Sequence, residues 1–179
     1  MDYDSVINKY YAEEGALKSI LLQHSESVAR KVLQIADTHP ELNLDHQFLL
    51  EAAMLHDIGI FACEAPGIYC FGTEPYIRHG IIGGEILRKE GLPRHAQVCE
   101  RHTGTGLTAT YIKEHQLPLP DNLDFCPETL EEKAICYADK FFSKSHLEKE
   151  RTLEEAYQSL LKFGTETAER LIMWSKLFE

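Results

Sequence analysis

Apolar residues recur along most of this chain at steps of three and four, while strand-like alternation is scarce, so the pattern predicts an all-α fold. Leu17, Ile20, Leu21, His24, Val28, Val32 and Ile35 fall on one stripe of a long amphipathic helix that Pro40 ends. A second helix is expected over 45–58, with Asp45 as N-cap, Leu49, Ala52, Ala53 and His56 on one face, and Gly59 just past its end. Residues 61–75 hold two Pro and two Gly among several aromatics and read as a shaped surface loop able to cover a site. Helices are then expected over 79–90, 93–103 and 108–115. Another should run from the capping pair Thr129 and Glu132 to Phe142. A second such pair, Thr152 and Glu155, opens two terminal helices parted by Gly164. With no repeat or linker in view, the chain reads as a single helical domain over 1–179, with terminal helices at 146–179.

Composition narrows the function classes. At 179 residues and 44% hydrophobic content the chain can bury a core without disulfides or a structural metal. The five cysteines are odd in number, form no CxxC and sit in apolar surroundings, which predicts reduced core thiols. A net charge of −11, from 18 basic against 29 acidic residues, argues against a nucleic-acid polymer as partner. No apolar run reaches membrane-span length, and the first twenty residues lack a basic region followed by an apolar one. The expectation is a cytoplasmic protein with no membrane contact. An anionic small-molecule substrate would need local positive charge, which bound metal cations supply.

The candidate chemistry lies in six residues: His24, the pair His56-Asp57, His79, His102 and Asp139. Each falls in an apolar, helix-patterned stretch, where an unpartnered imidazole or carboxylate costs several kcal/mol. Together they form a mixed nitrogen and oxygen donor set without thiolates, which suits Fe, Mn, Zn, Co or Ni better than Ca or Mg and differs from a structural zinc site. One or two catalytic divalent ions are expected, Fe or Mn before the others. His79 is followed by Gly80, Gly83 and Gly84, poor helix formers unless something must approach closely. The other histidines, His39, His46, His95, His115 and His146, sit beside polar or breaker residues and are expected to be solvated. Lys140, Arg78 and Arg101 flank proposed ligands and are candidates to hold substrate phosphate, with surface ion pairing as the alternative. The Gly104-Thr105-Gly106 segment has no preceding strand and reads as a plain loop.

The order of these residues resembles the HD-domain metal-dependent phosphohydrolases, especially the small HDIG-type members: His24, His56-Asp57 within His-Asp-Ile-Gly, His79, His102, and Asp139 within Tyr-Ala-Asp-Lys. The likeness spans about residues 20–145. It implies an HD helical bundle in which His24, His56, Asp57 and Asp139 hold one metal, while Asp57 bridges to a second metal bound by His79 and His102. Asp57 is then the central catalytic residue. Retention of both middle histidines is similar to the dinuclear branch, which includes a bacterial hydrolase of diadenosine tetraphosphate. The implied reaction is attack by metal-activated water on a phosphoester or phosphoanhydride of a small phosphorylated substrate, a nucleotide by preference. Two other readings stay open. HD-fold dinuclear iron oxygenases also use four histidines and two aspartates, and an inert nucleotide-binding HD module would need none of the six.

Overall fold

Local capping and burial account for several of the helix boundaries in the computed structural model, which describes residues 1–179. Helix α1 (Tyr3–Tyr10) begins where the Asp2 carboxylate accepts from Ser5 N–H at 3.0 Å, and it buries Ile7. Helix α2 (Ala16–Thr38) follows the long apolar stripe and turns Leu21, His24, Val28, Val32 and Ile35 inward. Helix α3 (His46–Leu55) starts at its expected N-cap, Asp45, which accepts from Phe48 N–H at 3.0 Å.

Helix α3 stops at Leu55 rather than 58. The Ile58 N–H bonds to the Leu55 carbonyl and the Ile60 N–H to the Asp57 carbonyl, three-residue closures that tighten the chain and end the α pattern. His56 is therefore the C-cap, and Asp57 lies in the following turn rather than on a helix face. The 61–75 segment is also more regular than a loop: strands β1 (Glu64–Ala65) and β2 (Cys70–Phe71) pair antiparallel, Glu64 opposite Phe71 and Ala65 opposite Cys70.

Helices α4 (His79–Lys89), α5 (Pro93–Arg101) and α6 (Ala109–Glu114) match the expected stretches to within two residues at each end. Helix α7 (Leu130–Asp139) ends three residues before Phe142, again because the N–H groups of Lys140, Phe141 and Phe142 turn to carbonyls three residues back. Its capping pair is half formed. Thr129 accepts from Glu132 N–H, but the Glu132 carboxylate takes the Glu128 N–H and Arg101 instead of the cap. The pair before helix α8 (Leu153–Leu160), Thr152 with Glu155, is reciprocal. Gly164, at φ +94°, then admits the turn into helix α9 (Thr165–Phe178).

A cluster of 36 buried apolar residues runs from Ile7 to Phe178, so Leu171 and Trp174 of α9 share the core built on α2, α3 and α7. Gly80 lets helices α4 and α5 approach closely: a Cβ there would stand 2.4 Å from the Cys99 carbonyl oxygen. All five cysteines are free, four buried and Cys126 half-buried. No helix is long and apolar enough to cross a membrane.

Candidate metal centre

The six candidate residues converge. His24 comes from the middle of α2, and the rest come from helix ends: His56 and Asp57 from the end of α3, His79 from the first turn of α4, His102 from the C-cap of α5 and Asp139 from the last position of α7. Three of these ends are C-terminal, where unsatisfied carbonyls carry partial negative charge and favour a cation. All six residues are buried.

Asp57 divides the cluster in two. Its Oδ2 lies 3.2 Å from His24 Nε2 and 3.1 Å from His56 Nε2, and His24 Nε2 is in turn 3.0 Å from Asp139 Oδ1. Its Oδ1 faces the other way, 3.5 Å from His79 Nε2 and 3.4 Å from His102 Nε2. Two donors that each stand about 2.1 Å from one ion at tetrahedral or octahedral angles lie roughly 3.0–3.4 Å apart. The observed spacings fit that geometry on both sides of the Asp57 carboxylate.

The tautomers fit as well. Nδ1 of His56 donates to the Ala53 carbonyl at 2.7 Å, Nδ1 of His79 to the Tyr76 carbonyl at 2.6 Å, and Nδ1 of His102 to the Cys99 carbonyl at 2.7 Å. A carbonyl only accepts, so His79 and His102, kept neutral by burial, present a bare Nε2 to the centre, and His56 does so once it gives up its second proton, an arrangement that orients metal-binding histidines. His79 Nε2 and His102 Nε2 then face each other at 3.0 Å, lone pair towards lone pair. That contact is repulsive unless a proton or a cation is shared. Burial, followed by the neighbouring His102, drives the His79 imidazole down to about 3, which disfavours the proton and leaves the cation. Oδ1 of Asp57 and Nε2 of His24 and His56 have no well-formed hydrogen bond, while Asp57 Oδ2 meets the Lys144 ammonium. Buried polar atoms left this way call for a ligand.

The electrostatics are those of a concentrated anion. Burial opposes ionisation of Asp57, but Lys144 and His56 outweigh it and hold the carboxyl well below the usual range; Lys140, His24 and His56 do the same for Asp139. Burial also opposes charge on His56, yet Asp57 and Asp139 hold its imidazole up at about 9. Lys144 Nζ lies 2.5 Å from Asp57 Oδ2. Sequence reasoning missed Lys144, because it follows α7 in a short irregular stretch where no periodicity reports burial. Tyr76 stacks on His79 with ring centres 4.7 Å apart and its hydroxyl neighbours Lys144; burial pushes that phenol up to about 12.

The three flanking cations separate. Lys140 is buried, donating to Asp139 Oδ2 at 2.7 Å and to the His102 carbonyl at 2.8 Å. Arg78 pairs with Glu74 at 2.9 Å, and Arg101 pairs with Glu132 at 2.9 Å and Glu128 at 3.1 Å, so neither is brought to the centre. Four of the remaining histidines are at least partly exposed, but His95 is buried and meets Glu51 at 3.2 Å and the Phe48 ring edge. Its spacing to Val98, Cys99 and His102 puts it on the inward face of α5, a signal that its polar neighbours obscured.

A cavity of about 410 Å³ opens beside Asp139, Lys140 and Lys144, with Tyr76 and Ile68 on one side. The 61–75 segment supplies part of its wall through Ala65, Gly67 and Ile68.

Comparison with known proteins bears on what this arrangement is. Two proteins each named tRNA (cytidine(56)-2'-O)-methyltransferase are similar to it: that of Picrophilus torridus is 30% identical over 141 residues, covering 78% of this chain and 36% of its own. That of Thermoplasma volcanium is 31% identical over 149 residues, covering 83% and 38%. The chain thus spans little more than a third of either. An uncharacterized protein of Methanocaldococcus jannaschii is 33% identical over 136 residues, 70% of this chain and 72% of that protein. Among solved structures, the HD domain of the L. monocytogenes phosphodiesterase PgpH, in complex with cyclic-di-AMP, shares the fold at 17% identity and TM-score 0.55, covering 93% of this chain and 91% of that one. The model of the HD domain family matches residues 21–143, a span that begins three residues before His24 and ends four after Asp139. The chain belongs to the HD domain family, the superfamily of metal-dependent phosphohydrolases whose motif order it carries.

Proposed function

We propose that this chain, folded as one domain, hydrolyses a phosphoester or phosphoanhydride bond of a small nucleotide at a dinuclear metal centre. His24, His56, Asp57 and Asp139 would hold one ion, and Asp57, His79 and His102 the other. The observation that carries this reading is the division of Asp57, with one oxygen facing the His24 and His56 nitrogens and the other facing His79 and His102 at 3.4–3.5 Å. Iron or manganese suits four imidazoles with two carboxylates best.

Divalent ions bound there would acidify a coordinated water and neutralise charge on the phosphoryl group. The chain's own residues do the rest. The carbonyls of Ala53, Tyr76 and Cys99 fix the three histidine rings, so that little reorganisation is needed when ligands bind. Lys140 and Lys144 place two ammonium groups at the inner end of the cavity, where a phosphoryl group entering past Asp139 meets positive charge in a protein of net charge −11. Tyr76 keeps its proton at neutral pH and can donate it in a hydrogen bond to a phosphoryl oxygen. The PgpH HD domain's complex with cyclic-di-AMP favours a nucleotide as substrate, and the diadenosine tetraphosphate hydrolases are one candidate branch.

The test is anaerobic purification with metal analysis, followed by a phosphate-release screen over nucleotides, cyclic dinucleotides and dinucleoside polyphosphates. Turnover in oxygen-18 water should put label on the cleaved phosphorus and proceed without dioxygen. Strict dependence on dioxygen and reduced iron would refute hydrolysis and point to oxygenase chemistry.

A further inference from the structure

The cavity beside the metal centre has a second wall that lies outside the HD match. Arg151, Ser159, Lys162 and Phe163 line it from α8 and the stretches on either side of it, beyond residue 143. Four cations therefore face this one cavity, Lys140, Lys144, Arg151 and Lys162, against a single carboxylate, Asp139. In a chain with 29 acidic residues that balance is local and needs a reason.

The four cations are not equivalent. Lys140 and Lys144 are already partnered by Asp139 and Asp57. Arg151 and Lys162 are in no ion pair. The Arg151 guanidinium, half-buried, donates only to the Lys140 carbonyl, at 3.3 Å, which leaves most of its five N–H groups free. Lys162 Nζ sits 5.0 Å above the ring of Phe163, itself a wall of the cavity. A guanidinium fork and an ammonium together match a phosphoryl group, with its near-double charge and three acceptor oxygens, better than they match a single carboxylate.

We infer that Arg151 and Lys162 hold a second phosphoryl group of the substrate, distal to the one that meets the metal centre. This rests on the reading of the centre as a phosphohydrolase site and adds to it a substrate class: molecules carrying at least two phosphoryl groups, of a size that a cavity of about 410 Å³ accommodates. The terminal helices are then the part of the chain that sets selectivity, while the HD core supplies the reacting end.

The experiment uses the full metal-loaded chain and two readouts. Calorimetry measures the binding of a nucleoside 5'-monophosphate, 5'-diphosphate, 5'-triphosphate and 3',5'-bisphosphate, and steady-state kinetics measures kcat/KM on the same four. The wild type should prefer one of the multiply phosphorylated ligands. The variant R151Q/K162Q should reduce that preference over the monophosphate by about ten- to a hundred-fold, as expected for loss of charge-assisted hydrogen bonds. The charge-matched variant K113Q/K176Q, whose lysines do not line the cavity, should retain it. Because Arg151 also braces the Lys140 carbonyl, K162Q alone is the second variant and should reduce the preference at least three-fold. A preference that survives in K162Q and R151Q/K162Q, or that K113Q/K176Q reduces equally, overturns the assignment. If no nucleotide turns over but the binding preference falls as stated, the reaction reading fails and the anion site stands.

Discussion

Gly80→Ala tests how tightly the metal centre depends on the approach of α4 to α5. The added Cβ would lie 2.4 Å from the Cys99 carbonyl oxygen, 1.0 Å short of the 3.4 Å at which ordinary contact begins. Both partners are helix backbone, so no flexible side chain can yield, and the two helices must part. The same Cys99 carbonyl accepts from His102 Nδ1 at 2.7 Å, and Gly80 adjoins His79, so the displacement falls on both histidines of one half-site. Overpacking costs about 1–3 kcal/mol. Alanine's better helix propensity returns about 1 kcal/mol, leaving a net loss of up to about 2 kcal/mol. At this chain length that lowers the melting temperature by a few degrees, on the order of 2–4 °C per kcal/mol.

The larger effect should be on metal. Misplacing the group that orients a ligating histidine typically weakens binding about 10–100-fold. The affinity of one ion should fall by that factor, while the ion at His24, His56 and Asp139, carried on α2, α3 and α7, keeps its affinity. Anaerobic metal titration with thermal unfolding reads both, and Gly67→Ala, whose Cβ would meet nothing within 4 Å, is the control. Two ions bound with wild-type affinity at an unchanged melting temperature would refute the close-approach argument.

Asp57→Ala should abolish binding of both ions and reduce turnover by more than the roughly 100-fold that loss of an outer partner costs, whereas His79→Ala should retain one ion; metal analysis of the two purified variants separates a bridging carboxylate from a terminal one. Metal affinity should depend on pH differently at the two half-sites. His56, held up at about 9 by Asp57 and Asp139 against its burial, must lose a proton to bind, so affinity at its half-site should rise about ten-fold per unit as pH rises from 6 towards 9. His79 and His102 are both lowered by burial, so the other half-site should be flat over that range, and equal slopes in a titration at several pH values would contradict the assignment. Thiol labelling of the native protein at pH 8 should modify Cys126 first, since burial pushes Cys63 and Cys70 up to about 11 and Cys136 to about 12; rapid reaction of all five would show that the core opens readily.

The helical frame was legible because burial imposes a period on it. The stripe from Leu17 to Ile35 located α2, and Asp45, Thr152 and Gly164 marked real caps and turns. His24, His79 and Asp139 were legible for the same reason, as polar residues in apolar helical stretches, whereas Asp57 stands in a turn off the helix pattern. Periodicity fails where the chain leaves the α pattern, and the site is concentrated at such places. His56-Asp57 and Asp139 stand where α3 and α7 tighten into three-residue closures, which is why the expected ends at 58 and 142 ran too far. From that tightened turn His56 Nε2 and Asp57 Oδ2 meet 3.1 Å apart at the centre.

The cationic wall was illegible on different grounds. Arg78 and Arg101 drew notice through adjacency to ligands, yet adjacency along a helix turns a side chain away, and both end in ion pairs with nearby glutamates. Lys144, Arg151 and Lys162 lie five, twelve and twenty-three residues beyond Asp139, in segments whose exposure pattern resembles any solvated surface. What marks them is the lack of carboxylate partners for Arg151 and Lys162 and the pairing of half-buried Lys144 with Asp57, features of the folded chain rather than of its order. In a protein of net charge −11 the fold thus gathers four cations around one opening, and the proposed anionic substrate would meet them there. It follows that added salt should weaken binding of multiply phosphorylated ligands more steeply than of monophosphates, and more steeply in the wild type than in R151Q/K162Q. Equal salt slopes for the two ligand classes would mean that Arg151 and Lys162 do not contact the ligand.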